Sequence, residues 1–226
     1  MRWQLVSFDL DGTLVDSAAE IAEAANRALA DHGIAPQPVD EITALIGHGT
    51  RRLMLQLMAR RYLADPALVE RVPFDAVLAT FDTHYARLAG SRAQPYRGVL
   101  QALARLQKAG VQLACVTNKE SRHAQRVLEG TGLAGMFALV VGGDSLPHPK
   151  PHASVLRHVL ATLHGTPERS AHVGDSRIDV ETARNAGVAA WAVPYGYNGG
   201  EPIETAAPER IFPGLQQLAE HVLEDA

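Results

Sequence analysis

Four short segments of the sequence carry side chains that could do chemistry with a metal ion and a phosphate group. They are Asp9-Leu10-Asp11-Gly12-Thr13, Thr117-Asn118, Lys150 between two prolines, and Gly174-Asp175-Ser176-Arg177-Ile178-Asp179. Clustered carboxylates repel one another unless a cation neutralises them, and ligation by oxygen atoms alone favours Mg²⁺. Bound Mg²⁺ usually keeps several waters and also contacts substrate phosphate. The segments together therefore predict a site for Mg²⁺ and a small phosphate ester.

The same side chains suit a two-step transfer of a phosphoryl group. An aspartate can attack phosphorus to form an aspartyl-phosphate, which divides one difficult step into two. A second carboxylate two residues further on can protonate the leaving group and then deprotonate the attacking water. A lysine supplies a positive charge for the phosphate, and Thr117 with nearby backbone N–H groups can hold its oxygens.

Each segment also has a simpler interpretation. An Asp-x-Asp pair is common, a lysine between prolines is usually solvated, and Asp175 and Asp179 could be first-turn helix residues that the helix dipole favours. The chemical interpretation is favoured because every segment follows a predicted strand, in sequence.

The elements that must position these residues are visible as apolar runs. Five runs without alternation are typical of strands in a parallel sheet covered by helices on both faces: Leu5–Phe8, Val111–Val116, Ala138–Val141, Ser170–Val173 and Ala189–Val193. Helical patterns alternate with the later strands: Val99–Ala109, Ser121–Glu129, Ala153–Leu163 and Ile178–Ala186. This alternation predicts an α/β fold with a doubly wound parallel sheet, in which ligands bind beyond the carboxyl ends of the strands.

The region between the first strand and the rest has a different pattern. From about residue 17 to residue 89 the apolar residues recur with helical spacing, and four prolines interrupt them. Ser17 and Glu20 form a capping-box pattern at the start of the first helix, and Gly33 can end it. We therefore expect a core domain of residues 1–16 and 92–226, with residues 17–91 as a small all-helical cap inserted after the first strand.

Composition excludes several classes of protein. The 226 residues carry 21 Lys and Arg against 25 Asp and Glu, a formal charge of −4, so no basic face for nucleic acid is expected. The single cysteine excludes an intramolecular disulfide framework. Since no apolar run approaches the roughly 20 residues of a membrane helix and the first residues lack a cationic leader pattern, we expect a cytoplasmic protein without a membrane partner.

The four segments, taken together, resemble the signature motifs of the haloacid dehalogenase-like phosphatases, and the similarity extends over nearly the whole chain. The matching stretches are Asp9-Leu-Asp-Gly-Thr-Leu-Val-Asp-Ser17, Val116-Thr-Asn-Lys119, Lys150-Pro151 and Gly174-Asp-Ser-Arg-Ile-Asp179. The resemblance implies a Rossmann-like core with a cap and a Mg²⁺-dependent phosphoric monoester hydrolase.

The resemblance also implies a role for each residue of the motifs. Asp9 would be the nucleophile and a Mg²⁺ ligand, and Asp11 the general acid/base, with its backbone carbonyl on the metal. The group that binds the phosphoryl moiety would comprise Thr117, Asn118 and Lys150. Asp175 would ligate Mg²⁺, and Asp179 would support the metal site through water or through the ligands that it orients.

Finer features are similar to bacterial phosphoglycolate phosphatases, which implies 2-phosphoglycolate as substrate. They are Ile46-Gly-His-Gly49, Gly142-Gly-Asp144 and Pro194-Tyr-Gly-Tyr-Asn198, while Arg97 and Ala153 stand where such enzymes often carry proline. A small acid phosphate needs a cation for its carboxylate. Arg51 and Arg52 in the cap are candidates by position, with an exposed helix face as the alternative, and His48 between two glycines is a further candidate.

Other functions stay open or are disfavoured. A phosphomutase of the β-phosphoglucomutase type would use the same two aspartates, and amino-sugar phosphates or pyrophosphate are alternative substrates. A scaffold protein that keeps the fold but has lost catalysis is disfavoured because the acidic residues are all present.

Three further patterns are interpreted as structural. The segment Gly130-Thr-Gly-Leu-Ala-Gly135 lacks the strand–helix context of a dinucleotide site, and Cys115 lies inside an apolar strand. Pro149 and Pro151 separate His148 from His152, so the two histidines do not share a helix face. The sequence does not indicate the oligomeric state.

Overall fold

The computed structural model of the protein describes residues 3–224 and is built around one parallel sheet. Within these residues the strands are β1 (Leu5–Phe8), β2 (Val15–Asp16), β3 (Gln94–Pro95), β4 (Gln112–Val116), β5 (Leu139–Val141), β6 (Ser170–Gly174), β7 (Ala189–Ala192) and β8 (Arg210–Ile211). The large sheet has the order β5-β4-β1-β6-β7-β8, with every pair of neighbours parallel. The predicted doubly wound α/β fold is confirmed.

The position of β1 determines where the site lies. It is paired with β4 on one side and with β6 on the other, so that Leu5 is opposite both Gln112 and Ser170. The chain proceeds outward from β1 through β4 to β5 and then returns to the other side at β6. A crevice forms at such a reversal of strand order, beyond the carboxyl ends of the strands.

Ten α-helices lie within the described residues. They are α1 (Ala18–Asp31), α2 (Val39–Thr43), α3 (Thr50–Ala64), α4 (Leu68–Arg71), α5 (Phe74–Leu88), α6 (Val99–Lys108), α7 (Ser121–Gly130), α8 (Ser154–Thr162), α9 (Arg177–Ala186) and α10 (Leu215–Glu224). The four helices predicted between the later strands are present as α6 to α9. The sequence analysis did not predict α2, α4 or α10, nor the strand β8.

Helices cover both faces of the sheet, which explains why its strands are apolar without alternation. One face packs against α8 and α9 through side chains such as Leu5, Ala114 and Ala190. The other face packs against α6, α7 and α10 through Phe8, Leu113 and other buried apolar residues. Because both faces of each central strand are buried, the main chain at the carboxyl edge is held rigidly for the polar residues that follow it.

The segment between β2 and β3 is helical, as expected, and contains α1 to α5. Helix α1 packs against α2 and α5, and α3 packs against α5. The chain leaves and re-enters the sheet region through neighbouring segments, because β2 pairs antiparallel with β3, with Asp16 opposite Gln94. These two short strands were not predicted.

The capping box predicted for Ser17 and Glu20 is wrong. The Ser17 side chain makes no capping bond to α1 and instead donates a hydrogen bond to the Asp11 carboxylate. The Glu20 carboxylate, which is fully buried, accepts hydrogen bonds from the backbone N–H groups of Gly90, Arg92 and Ala93. Tertiary partners therefore take both side chains away from the local motif.

Candidate active site

The loop after β1 presents two carboxylates at the carboxyl edge of the sheet. Asp9 follows the last residue of β1, and Asp11 is two residues further on. Between Asp11 and Thr13 the chain turns at Gly12, whose φ of +87° is in the left-handed region. A Cβ atom at this position would overlap the carboxylate of Asp175, so glycine is required both by the turn and by the close approach.

Lys150 is buried between two of the predicted site residues. Its Nζ lies 2.9 Å from Asp9 Oδ1 and 2.6 Å from Asp179 Oδ1. Burial alone would lower the pKa of Lys150, but the two carboxylates outweigh it and raise the pKa above its usual range. The lysine is therefore a fixed positive charge beside Asp9, where a phosphate would need one.

Both carboxylates of the fourth segment are held by hydrogen bonds. Asp175 Oδ1 accepts from Thr13 Oγ1 at 2.8 Å, and Asp175 Oδ2 accepts from the backbone N–H of Tyr197 at 2.7 Å. Asp179 Oδ2 accepts from the N–H and the Oγ of Ser176 at the start of α9, which forms a capping box. The carboxylate of Asp179 is thus occupied by its neighbours, and Lys150 and His172 hold its pKa below the usual range although burial opposes this.

Three of these carboxylates form a cluster that could hold a metal ion. Oxygen atoms of Asp9, Asp175 and Asp179 all lie within 4.8 Å of one another. Burial, together with repulsion from the neighbouring carboxylates, raises the pKa of Asp9 to about 7 and that of Asp175 to about 8, while Lys150 acts in the opposite direction on Asp9. Because these carboxyl groups resist ionisation without a cation, a bound divalent cation would stabilise their charged forms. The donor atoms are all oxygens, which suits a hard ion.

Thr117 and Asn118 follow β4 and lie beside the same edge, but their side chains differ in availability. Thr117 is buried, borders the cavity described below, and accepts the N–H of Lys119 at 3.2 Å. The Asn118 amide donates to the carbonyls of Gly47 and Lys150, at 3.0 and 3.1 Å, and accepts the N–H of Lys150 at 2.9 Å. The polar atoms of the Asn118 side chain therefore fix two loops and leave only the backbone N–H for a phosphate.

A narrow cavity lies between the sheet edge and the helical segment, with a volume of about 30 Å³. From the sheet side it is lined by Asp9, Asp11 and the residues 117–119. From the helical side it is lined by Ile21, Ile46, Gly47, Gly49, Thr50 and Leu53. A space of this size holds one or two water molecules.

The candidates proposed for the cap do not reach this cavity. Arg51 is exposed, lies 3.6 Å from Asp75 and stacks over Phe74. Arg52 is exposed as well, which agrees with the alternative of a solvated helix face. His48 borders a separate depression beside Glu181, and its pKa is lowered by burial and by the charge of Arg52.

Several residues that the sequence analysis did not single out contact the site. Lys119 Nζ lies 2.9 Å from Asp11 Oδ1, and its side chain is only 2% exposed. Thr50 Oγ1 donates to Glu120 at 2.5 Å and so connects the start of α3 to the loop after β4. The Tyr197 hydroxyl accepts the N–H groups at the start of α1 and donates to Asp16 at 2.8 Å. Lys119 and Tyr197 had a sequence signal, since each belongs to a motif quoted in the sequence analysis, whereas Thr50 had none.

Among the described residues, none of the three patterns interpreted as structural contributes a side chain to the carboxylate cluster or to the lining of the cavity. Cys115 is fully buried within β4, where burial raises the pKa of its thiol. The glycine-rich segment 130–135 ends α7 and leads toward β5, without the strand–helix context of a dinucleotide site. The exposed rings of His148 and His152 do come together, with centroids 4.6 Å apart, although no helix carries them.

Comparison with known proteins shows the family. The family described as haloacid dehalogenase-like hydrolase matches residues 6–193, which include all residues of the four signature motifs. The chain is a haloacid dehalogenase-like hydrolase. The resemblance stated from the four motifs is confirmed.

Individual relatives of this hydrolase cover almost its whole length. It is 34% identical over 223 residues to the phosphoglycolate phosphatase of Psychrobacter arcticus, covering 99% of this chain and 97% of that protein. It is 41% identical over 214 residues to a plasmid-encoded phosphoglycolate phosphatase of Cupriavidus necator, covering 94% and 90%. A crystal structure of a predicted phosphoglycolate phosphatase from Haemophilus somnus superposes with a TM-score of 0.90 at 30% identity, with 98% of both chains covered.

These matches confirm the prediction of an enzyme of the phosphoric monoester hydrolase class that resembles bacterial phosphoglycolate phosphatases. Within residues 3–224, no helix combines the length and the apolar character that crossing a bilayer requires. The expected cytoplasmic location and the expected absence of nucleic-acid and membrane partners stay predictions.

Proposed function

We propose that this hydrolase is a Mg²⁺-dependent phosphatase that converts 2-phosphoglycolate to glycolate and phosphate through an aspartyl-phosphate on Asp9. The observation that carries the proposal is the contact of Lys150 Nζ with Asp9 Oδ1 at 2.9 Å, beside the carboxylate cluster. The substrate is supported by the names of the relatives. Asp9 and Asp175 would hold the metal together with the backbone carbonyl of Asp11, and the ion would supply positive charge for the phosphate oxygens.

In the first step, Asp9 attacks phosphorus while the bond from phosphorus to the ester oxygen breaks. Lys150, Thr117 and the backbone N–H groups of the loop after β4 hold the other phosphate oxygens. Asp11 gives its proton to the departing oxygen, so that glycolate leaves with a neutral hydroxyl group. Asp11 is held for this role by the Ser17 hydroxyl and by Lys119.

In the second step, Asp11 takes a proton from a water molecule that attacks phosphorus. The bond from phosphorus to Asp9 breaks, which releases inorganic phosphate and restores both aspartates to their starting states. Asp179 remains hydrogen-bonded to Lys150 and Ser176 throughout, so its role is to keep the lysine in place.

We further propose that residues 17–91 act as a cap over a core of residues 1–16 and 92–226. The proposal is supported by the cavity, which residues of α1, of α3 and of the loop before α3 line from one side. Closure of such a cap would exclude bulk water during formation of the aspartyl-phosphate. The hinge would lie at residues 16–17 and 90–94, where the chain crosses between the two parts.

The test is phosphate release with and without Mg²⁺ from 2-phosphoglycolate, a hexose phosphate, an amino-sugar phosphate and pyrophosphate, compared by kcat/KM. We expect metal-dependent hydrolysis with the highest kcat/KM for 2-phosphoglycolate. Isomerisation of a sugar phosphate without net phosphate release would identify a phosphomutase instead. A preference for amino-sugar phosphate or pyrophosphate would retain the chemistry and overturn the substrate.

A further inference from the structure

Lys119 is a buried lysine for which the steps above leave one role open. It follows β4 by three residues, and its Nζ forms an ion pair with Asp11 Oδ1 at 2.9 Å and donates a hydrogen bond to the hydroxyl of Tyr85. The ammonium also lies 4.7 Å from the centroid of the Tyr85 ring. Because an ammonium group has three N–H donors, these two partners leave one donor for a further acceptor.

The cavity obtains its positive charge from this side chain. Among the residues of 3–224 that line it, Lys119 is the one with a cationic side chain, and it faces Ile21, Ile46 and Leu53 from the helical segment. The arginines expected to provide a cation point elsewhere, with Arg51 turned toward Asp75. An anionic group of a substrate in this cavity would therefore meet the ammonium of Lys119, which belongs to the core, and no arginine of the cap.

The start of α3 adds a second electropositive feature to the same cavity. Gly49 and Thr50 line it, and α3 has neither a side-chain capping bond nor an acidic residue in its first turn. The first backbone N–H groups of a helix lack acceptors within the helix and favour an anion. Lys119 and the start of α3 thus border one small space from opposite elements.

We propose that Lys119 Nζ binds the carboxylate of the substrate and so selects phosphate esters of 2-hydroxy acids, in which the carboxylate is one carbon from the ester oxygen. This inference rests on the proposed function. Asp11 must be within hydrogen-bond distance of the ester oxygen, and Lys119 is 2.9 Å from Asp11. In an O–CH₂–COO⁻ unit the carboxylate is adjacent to that oxygen, so one substrate reaches both side chains.

The contact also offsets the repulsion between the carboxylate of a short substrate and the carboxylate of Asp11. Its carboxylate would approach the carboxyl group of Asp11 within a largely buried space, where two negative charges repel each other strongly. Lys119 would lie between the two groups and attract both. An ester with an uncharged carbon chain gains nothing from this lysine, which makes the lysine a determinant of specificity.

The experiment compares 2-phosphoglycolate with ethyl phosphate, which has a methyl group in place of the carboxylate, at saturating Mg²⁺. Lys119→Gln removes the charge and keeps N–H donors for Asp11 and Tyr85. We expect the ratio of kcat/KM values for the two substrates to fall by roughly 10- to 100-fold, the range for loss of a charge-assisted hydrogen bond. The loss should be expressed mainly in KM for 2-phosphoglycolate, and Lys119→Arg should restore part of the ratio.

Ethyl phosphate reports any disturbance of Asp11, because hydrolysis of both substrates needs that residue. Equal losses for the two substrates would overturn the inference and make Lys119 a positioning residue for Asp11. A wild-type enzyme that hydrolyses both esters equally well would also overturn it while leaving the phosphatase intact, whereas no hydrolysis of any ester would remove the proposed function itself. Lys108→Gln, an exposed lysine on α6, is the matched control.

Thermal unfolding of each variant separates loss of specificity from loss of fold. If Lys119→Gln does not fold, Lys119→Arg remains informative because it keeps the buried charge and moves it. The ratio of kcat/KM for 2-phosphoglycolate to kcat/KM for ethyl phosphate should then fall in Lys119→Arg as well, by a smaller factor than expected for Lys119→Gln. If a folded Lys119→Arg variant loses activity by the same factor toward both esters, the ratio of their kcat/KM values is unchanged. That result would contradict the contact between Lys119 and the carboxylate of the substrate.

Discussion

Asp9 lies at the point where the charges of the site meet. One of its oxygens contacts the ammonium of Lys150, and both residues are buried. The lysine contacts this carboxylate, while burial and the neighbouring Asp179 and Asp11 oppose its ionisation. A nucleophile in this setting is held in one orientation before the substrate arrives, which is how an ordinary carboxylate becomes effective.

Replacing Asp9 tests its proposed role as the nucleophile at a single atom. Asp9→Asn keeps the size of the side chain and removes the oxygen that would attack phosphorus. We expect phosphate release in Mg²⁺ to fall by about 10³-fold or more, with the fold retained. Asp40→Asn, at an exposed position of α2, is the control, and wild-type turnover by Asp9→Asn would show that the nucleophile is another residue.

The raised pKa values of Asp9 and Asp175 predict how pH affects the metal-free protein. Both carboxyls hold their protons to higher pH in the folded state than in the unfolded chain, so their ionisation from about pH 4 to pH 8 destabilises the fold. A divalent cation needs the ionised form and relieves the repulsion. The rise in Tm on adding Mg²⁺ should therefore be several degrees near pH 8.5 and small near pH 5.5.

Differential scanning fluorimetry across this pH range measures the effect. Asp175→Asn should abolish most of the Mg²⁺-dependent rise at the higher pH, because one ligand is lost. A rise of equal size at both pH values would show that the carboxylate cluster is not where the cation binds.

At the scale of the elements, the sequence predicted the parts with strong local signals. Continuous apolar runs identified five of the six strands of the large sheet, and the residues after four of them proved to converge. The strands β2, β3 and β8 were missed because each has two residues, and Gln94–Pro95 has no apolar pattern at all. Pairing across the chain defines such strands, and no window of sequence contains that information.

The site residues divide in the same way. Asp9, Asp11, Thr117, Lys150 and the fourth segment were identified because each follows a strand or belongs to a motif. The sequence left Arg51 open between a substrate contact and an exposed helix face, because its neighbours in space, Asp75 and Phe74, are more than twenty positions away in sequence. Tertiary partners determined where this long side chain points, as they did for Ser17 and Glu20.

Glu20 joins two elements that are distant in sequence. Its buried carboxylate on α1 accepts three backbone N–H groups from residues 90–93, which follow α5, and a weaker bond from Tyr85 at 3.4 Å. A charged acceptor is worth more than a neutral one in a buried position. Glu20→Gln should therefore lower the free energy of unfolding by about 2 kcal/mol, because the amide nitrogen would face these donors.

Urea denaturation at constant pH gives this free energy. Glu70→Gln, on the exposed surface of α4, should change it by less than about 0.5 kcal/mol. Equal stability of Glu20→Gln and wild type would mean that the three N–H groups find other acceptors, and the connection between α1 and residues 90–93 would then be weak.

On the scale of the whole molecule, the helical segment and the sheet share one network of hydrogen bonds. Tyr197, after β7, contacts both Asp175 and the start of α1. Asp11 contacts Ser17, and through Lys119 it is connected to Tyr85 on α5. The same residues that build the candidate site are therefore attached to both crossings of the chain.

Closure of the cap predicts a change in protection of these crossings. In the Asp9→Asn variant, saturating 2-phosphoglycolate with Mg²⁺ would remain bound without turnover. We expect slower amide hydrogen exchange at residues 15–18 and 90–94 in this complex than in the free protein. The sample without substrate is the reference, and identical exchange in both samples would mean that the two parts do not move against each other on binding.

The antiparallel pair β2 and β3 limits what such a movement can be. Two separate linkers would allow the helical segment to tilt, twist and slide, each an independent degree of freedom that binding would have to arrest. Here the two crossings are hydrogen-bonded side by side, with Val15 opposite Pro95 and Asp16 opposite Gln94. If such a pair bends about one axis more easily than it shears, the proposed closure would reduce to a single rotation, and little orientational entropy would remain to be lost when a substrate is enclosed.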